Sequence, residues 1–165
     1  MRTIDNINGL KKSEFLSIFG NVFEKTESVA LKVFELKPFK DSDDIVSKML
    51  KIYEEYDRDK ILQILNSHPE LAIEKKLTDE SKLEQTSANL NECSEEEFEE
   101  FKKLNLEYKT KFGFPFIIAV KGKNKNEILV NFRERIKNDL NKEFFEAKIQ
   151  VKKIASFRLE DILSI

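Results

Sequence analysis

The stretch from Ser94 to Gly113 reads SEEEFEEFKKLNLEYKTKFG and carries the clearest structural signal in the chain. Ser94 and Glu97 have the spacing of a capping box, in which each side chain binds the backbone N–H of the other residue. Bulky apolar residues then recur at intervals of three and four, as on one face of a helix: Phe98, Phe101, Leu104, Tyr108 and Phe112. Because Gly113 stands where a C-terminal cap belongs, this stretch predicts a long amphipathic helix.

Helical patterns continue on both sides of this stretch. Pro69 disfavours helical geometry at His68, so a helix before it should stop there. Asn124 and Glu127 have the spacing of a second capping box. The further helices predicted from these patterns cover about residues 14–19, 28–36, 42–56, 60–66, 79–90, 125–136 and 142–163. For Phe114 to Val120, which reads FPFIIAV, the pattern does not separate a buried strand from a buried extended loop.

Composition agrees with helices. The chain has 4 glycines and 3 prolines, whereas all-β chains with many turns usually need more of both. A length of 165 residues fits one ordinary domain. We therefore predict an all-α fold, a single bundle-like domain of about eight helices over residues 1–165.

Charge and cysteine content narrow the function classes. The net charge of -2 gives no general attraction for nucleic acid or anionic lipid, and no stretch of 18 apolar residues predicts a membrane span. The one cysteine, Cys93, excludes an intramolecular disulfide and indicates a reducing compartment. Since residues 1–10 lack the shape of a signal peptide, we expect a cytoplasmic protein.

Several polar residues interrupt the apolar helix faces. His68 is the only histidine and can donate or accept a proton near neutral pH; the alternative is a surface or capping histidine. One face of the 79–90 helix combines a hydroxyl, a carboxylate, an amide and a small residue, which can line a polar pocket or meet solvent: Ser81, Glu84, Gln85 and Ala88. With one histidine and no clustered cysteines, we expect no metal site.

Basic residues stand out at two further places, a single arginine on the last helix and three lysines in a loop. Arg158 lies on an apolar stripe of the last helix, and a buried guanidinium needs an anionic partner. That partner is either internal, such as Glu84, or a substrate carboxylate, unless the arginine reaches out to solvent. Lys121, Lys123 and Lys125 form a basic loop without a glycine-rich phosphate cradle, so a solvated turn is the simpler interpretation.

These residues fall in segments that resemble the family of 2-oxo-4-hydroxy-4-carboxy-5-ureidoimidazoline (OHCU) decarboxylases. Ser67–Ala72, SHPELA, is similar to the family's His-Pro-x-Leu signature. Leu77–Gln85, LTDESKLEQ, and Tyr108–Val120, YKTKFGFPFIIAV, match two more motifs, and Phe157–Leu159 matches its closing Arg-Leu. The link after Ala72 is shorter than usual, and the family's tryptophan near Val29 is missing, which leaves substrate scope open.

The resemblance implies a catalyst of urate breakdown that releases carbon dioxide and forms (S)-allantoin without any cofactor or metal. It implies His68 as the proton-transfer residue and Glu84 as its partner or as a ligand of ureido N–H groups. It implies substrate binding by residues in four places: Pro69; Ser81 and Gln85; the segment Phe116, Ile117, Ile118, Ala119 and Val120; and Arg158. It also implies a homodimer.

Two other classes of function remain possible from the sequence. A non-catalytic relative would bind a small ureide or a protein partner, and the presence together of His68, Glu84, Gln85 and Arg158 argues against it. A nucleic-acid module would need a basic face with exposed aromatic residues, which the net charge of -2 disfavours.

Overall fold

The computed structural model describes residues 2–73 and 77–165, and these form helices joined by turns and loops, with no strand. The all-α prediction is therefore confirmed. In chain order, the helices of the described residues are α1 (Ile4–Gly9), α2 (Lys12–Phe19), α3 (Ser28–Phe34), α4 (Ser42–Glu54), α5 (Arg58–Ser67), α6 (Asp79–Ser87), α7 (Glu95–Phe112), α8 (Lys125–Arg135) and α9 (Leu140–Leu163).

The helices belong to two compact units. The first unit comprises Met1–Ser67 and Lys152–Ile165, and the second comprises His68–Val151. The expectation of a single domain over residues 1–165 thus stays a prediction, which the unfolding experiment proposed below tests. The shortened link after Ala72 lies mainly outside the described residues, because 74–76 are not described.

Aromatic rings fill the core of the first unit. The rings of Phe15 and Phe19, one turn apart on α2, have centroids 4.6 Å apart. The ring of Phe23 stacks on that of Tyr53 of α4 at 4.8 Å. Such pairs contribute about 0.5–1.5 kcal/mol beyond the area they bury, and the second pair holds the residues that follow α2 against α4.

A second aromatic cluster fills the core of the other unit. The rings of Phe116 and Phe132 stack nearly parallel with centroids 3.9 Å apart. Tyr108 of α7 meets both rings edge-on, at 5.4 Å and 5.8 Å. Phe116 belongs to the non-helical segment after α7, so this cluster fastens that segment to α7 and α8.

Most helix ends agree with the sequence, and the exceptions have local causes. The Ser94–Glu97 capping box and the left-handed Gly113 cap of α7 are both present. Of the two hydrogen bonds predicted for the second capping box, one forms: the Asn124 side chain accepts from the backbone N–H of Glu127. The other was predicted wrongly, because the Glu127 carboxylate accepts from the side chain of Asn124 and not from its backbone.

Two differences concern the helix count and the length of α6. The additional helix, α1, begins at a cap formed by Thr3 and Asn6, which the sequence interpretation missed. The helix predicted to end at Leu90 ends at Ser87. Asn89 adopts a left-handed conformation with φ 59°, which asparagine tolerates better than most residues and which ends a helix.

Candidate active site

His68 directly follows Ser67, the last residue of α5. The helix thus ends where the sequence predicted, because Pro69 disfavours helical geometry at His68. The exposed fraction of His68 is 9%, so it is not a surface histidine. Burial at a helix end, in front of a proline of fixed φ, gives the imidazole a defined place in the fold.

Two amide side chains clamp the backbone that follows His68. Gln85 of α6 accepts a hydrogen bond from the Ala72 N–H at 3.1 Å and donates one to the Glu70 carbonyl at 3.2 Å. Asn105 of α7 donates to the Leu71 carbonyl at 2.9 Å. Ala72 has φ 52°, a conformation that costs a non-glycine residue about 1–2 kcal/mol. These bonds therefore hold a strained loop in place.

Three of the four residues on the polar face of α6 are buried. Ser81 and Gln85 are 4% and 7% exposed, and Ala88 is buried, while Glu84 is half-buried. A solvated face is therefore excluded for these three buried residues. A cavity of about 390 Å³ opens beside this helix, and its lining includes Ala72, Leu77, Asp79, Lys82 and Gln85.

The segment from Phe114 to Val120 is a buried loop without helix or strand, which resolves the alternative left open by its pattern. Side chains of α8 and α9 hold its backbone. Arg135 donates through Nη1 to the Ile117 carbonyl at 2.6 Å, and the Ala119 N–H donates to Oε1 of Gln150 at 2.9 Å. Lys123 donates to the Ala119 carbonyl at 3.2 Å.

Arg135 belongs to a buried polar cluster that the sequence interpretation missed. Its Nε donates to Oε1 of Glu143 at 2.6 Å, and the Tyr108 hydroxyl donates to the same oxygen at 2.8 Å. Asn138 donates to the other carboxylate oxygen at 3.1 Å. Burial raises the pKa of Tyr108 far above its ordinary value, so its hydroxyl stays protonated as a donor. Arg135 on the buried side of α8 is the sequence signal that could have revealed the cluster.

Arg158 is buried and paired within the first unit. Its Nη2 lies 2.8 Å from Oε2 of Glu24, and its Nη1 donates to the Asn21 carbonyl at 2.8 Å. The side chains of Arg158 and Glu24 are 5% and 0% exposed, which excludes an arginine that reaches solvent. An internal anionic partner exists, and it is Glu24, which lies 134 positions from Arg158 in sequence, so spacing alone could not single it out.

The other polar groups singled out by sequence have ordinary roles. Lys125 pairs with Glu97 at 3.1 Å, so the basic loop is partly neutralised internally. Burial raises the pKa of the Cys93 thiol, which makes it a poor nucleophile. In residues 2–73 and 77–165 there is no group of three or more metal-binding side chains, and no described helix has the length and apolar character of a membrane span.

The predicted site residues divide between the units. Ser81, Glu84, Gln85, His68, Pro69 and the Phe116–Val120 segment belong to the second unit, and Arg158 belongs to the first. Within the second unit, Gln85 is bound to the loop that follows His68, and α8 and α9 hold the Phe116–Val120 segment.

The chain is thus an all-α protein with a buried histidine at the end of α5. Gln85 and Asn105 bind the loop that follows this histidine, and side chains of α8 and α9 bind the non-helical Phe116–Val120 segment. The family model of OHCU decarboxylase matches residues 8–160. The chain belongs to this family.

Individual relatives support the same assignment. The 2-oxo-4-hydroxy-4-carboxy-5-ureidoimidazoline decarboxylase of Haloferax volcanii is 35% identical over 162 residues, which cover 98% of this chain and 96% of the relative. A uric acid degradation bifunctional protein of Bacillus sp. (strain TB-90) is 38% identical over 162 residues, and this chain spans about a third of it, 32% of its length. A crystal structure of (S)-allantoin synthase superposes with a TM-score of 0.77 at 26% identity, covering 98% of this chain and 54% of that one.

Proposed function

We propose that this protein decarboxylates 2-oxo-4-hydroxy-4-carboxy-5-ureidoimidazoline to (S)-allantoin without a metal or an organic cofactor. The observation that carries the proposal is the buried His68 at the end of α5, in a chain that matches the decarboxylase family over residues 8–160. The likeness to (S)-allantoin synthase supports the product.

The chemistry explains which groups such an enzyme needs. The carboxylate leaves from C4, which also carries the hydroxyl group, so the electron pair of the broken C–C bond delocalises into the adjacent C5=N bond and leaves an enol-like C4=C5 unit. A proton must then reach the ureido-bearing C5 from one face to give a single enantiomer, while C4 becomes a carbonyl as its hydroxyl group loses its proton. The protein therefore has to orient the carboxylate, stabilise the developing charge and supply one proton.

We assign the proton to His68, because imidazole can both donate and accept a proton near neutral pH. Pro69 shapes the wall beside it. Glu84, half-buried on the same α6 face as the buried Ser81 and Gln85, orients His68 or binds ureido N–H groups.

Ser81 and Gln85 bind a ring or ureido oxygen in this proposal. Gln85 already uses its amide on Glu70 and Ala72. An amide oxygen has two lone pairs and the NH₂ group has two hydrogens, so Gln85 retains the capacity for one further bond at each end. The same side chain can thus hold the His68 loop and contact the substrate.

The Phe116–Val120 segment offers backbone groups to the planar ligand. Ile117 and Ala119 direct their polar groups to α8, α9 and Lys123. In an extended chain, alternate residues turn their N–H and C=O groups to opposite sides. We infer from this alternation that the groups of Ile118 face the other way; no backbone–backbone hydrogen bond joins them to a described residue. A buried peptide group needs a partner, which a ureido or amide edge would supply.

Arg158 binds an anionic group of the substrate in this proposal. Its guanidinium is the kind of group that pairs with carboxylates, and in the structure it binds the Glu24 carboxylate and the Asn21 carbonyl. The pair with Glu24 would hold the arginine in a fixed orientation before substrate arrives, which reduces the entropy lost on binding.

We also propose a cytoplasmic homodimer, from the single cysteine and the family resemblance; light scattering of the purified protein tests the dimer. The deciding experiment adds purified protein to freshly generated substrate and follows the optical activity of the product. Rapid appearance of (S)-allantoin is expected. Binding of (S)-allantoin without any turnover would instead indicate a non-catalytic relative.

A further inference from the structure

We propose that Gln150 and Arg135 are positioning residues, which set the register of the Phe116–Val120 segment and thereby aim the peptide groups of Ile118 at the ligand. The inference rests on the proposed function, because it takes this segment as part of the substrate site. Neither residue is expected to touch the substrate.

Gln150 is held so that only one end of its amide can face the segment. It is 7% exposed, and its Nε2 donates to Oε1 of Glu146, one turn earlier on α9, at 2.8 Å. Because the carboxylate accepts the NH₂ group, the amide oxygen is the end left to accept the Ala119 N–H at 2.9 Å. Glu146 thus orients Gln150, and Gln150 orients Ala119.

Arg135 holds the same edge of the segment two residues earlier. Its Nη1 donates to the Ile117 carbonyl at 2.6 Å, and its guanidinium lies 4.3 Å from the ring centroid of Phe116. Glu143, fully buried, fixes the guanidinium through Nε. The segment is therefore held at Ile117 and Ala119 by side chains from two different helices.

This pair of contacts fixes which residue faces the ligand. A slip of one residue in an extended segment exchanges the two sides, so Ile117 and Ala119 would then turn away from their anchors. With both anchors in place, the N–H and C=O of Ile118 point together to the opposite side. One donor beside one acceptor matches the N–H and C=O of an amide or urea edge, which is the chemistry of a ureidoimidazoline.

The two partners Gln150 and Glu146 allow a test by exchange. Gln150→Glu keeps an oxygen for the Ala119 N–H but sets a second carboxylate against that of Glu146, so the side chain at position 150 is pushed from its place. Adding Glu146→Gln restores the contact in reverse, because the new amide at position 146 donates to the new carboxylate at position 150. Each protein is assayed for kcat and KM, for (S)-allantoin binding by calorimetry and for its melting temperature.

We expect Gln150→Glu to lower kcat/KM on the order of 10- to 100-fold, the scale of a 1 Å misplacement, and to weaken (S)-allantoin binding. The double variant should return to within about threefold of wild type, a scale set by the small energies of exchanged hydrogen bonds. Glu146→Gln alone should stay close to wild type, since its amide oxygen still accepts from Gln150. Gln63→Glu, the same change at an exposed position of α5, serves as the matched control.

Wild-type kcat/KM in folded Gln150→Glu, or no recovery in a folded double variant, overturns the inference while leaving the proposed function intact. If Gln150→Glu does not fold, Gln150→Met replaces it, and undiminished kcat/KM there has the same meaning. A wild-type protein that neither turns over substrate nor binds (S)-allantoin overturns the proposed function and this inference together. A purely structural role would lower the melting temperature without changing kcat/KM of the folded protein.

Discussion

Arg158 and Glu24 form a buried ion pair, in which each charge alone would be costly to bury. Both side chains are at most 5% exposed, so each charge has lost most of its contact with water. A buried pair of this kind contributes little compared with an apolar pair of the same volume, but removing one partner is costly because the other stays charged and buried. The energetic role of Arg158 can therefore be separated from its proposed role in binding.

For Arg158→Met we expect a loss of about 3–5 kcal/mol in the free energy of unfolding, because the Glu24 carboxylate stays buried without its guanidinium. Adding Glu24→Gln removes that charge and should recover most of the loss. Urea denaturation of the two single variants and the double variant measures this. Unchanged stability in Arg158→Met would contradict the ion pair, and activity lost in the restabilised double variant would support substrate binding by Arg158.

His68→Asn tests the proton-transfer role. Asparagine has a similar size and retains hydrogen bonding but has no titratable proton. A positioned acid or base contributes roughly 10²–10⁴-fold, so we expect kcat to fall by that factor while the melting temperature changes little. Steady-state kinetics and thermal melts measure both. An enzyme of normal kcat would transfer the role to Glu84 or to water.

At the scale of the helices, the N-terminal end of α7 makes the stability of the protein sensitive to acid. The Ser94 backbone N–H and the ammonium of Lys125 both bind the Glu97 carboxylate and hold its pKa below the ordinary value of 4.5. Because folding lowers this pKa, the charged carboxylate stabilises the folded state above its unfolded pKa. That stabilisation is lost as the pH falls through the lowered pKa.

We therefore expect the stability difference between wild type and Glu97→Gln to be constant near neutral pH and to shrink below about pH 4.5. Urea denaturation of both proteins from pH 7 to pH 3 measures the difference. Glu96→Gln, in the same first turn of α7, is the control and should show no comparable loss. A difference that grows as the pH falls would contradict the capping bonds.

Local signals in the sequence predicted helices far better than long-range partners. The caps of α7 and the break at Pro69 depend on residues a few positions apart, so local residue types and their spacing find them. Glu24 and Arg158 are separated by 134 positions, and Ala119 and Gln150 by 31. No spacing rule connects such pairs, so their pairing had to come from the structure. The polar face of α6 was visible in sequence, but the clamp that Gln85 forms was not.

At the scale of the whole molecule, the division into two compact units raises the question of whether the units unfold together or separately. Met1–Ser67 and Lys152–Ile165 form one unit, and His68–Val151 forms the other. α9 runs without a break from Leu140 to Leu163 and so contributes to both. A helix shared in this way would couple the unfolding of the units, which is the physical basis for expecting one domain.

We expect both units to unfold in one transition. The chain has no tryptophan, so Leu36→Trp in the first unit and Phe145→Trp in the second, at positions 46% and 57% exposed, provide separate reporters. For a two-state domain, fluorescence and circular dichroism give the same midpoint in urea for both variants. Midpoints that differ between the two reporters would show two domains and refute the single-domain prediction.

The discontinuous first unit also has a consequence for the order of folding during synthesis. The His68–Val151 unit is one uninterrupted stretch of chain, whereas α1 to α5 share their unit with Lys152–Ile165. A ribosome that adds about 5–20 residues per second delivers Glu24 many seconds before Arg158. Until then the nascent first unit lacks the guanidinium that its buried carboxylate binds in the folded protein. Translation therefore favours folding of the His68–Val151 unit before the first unit is complete. The helices α1 to α5 reach their final packing only after Lys152–Ile165 has been synthesised.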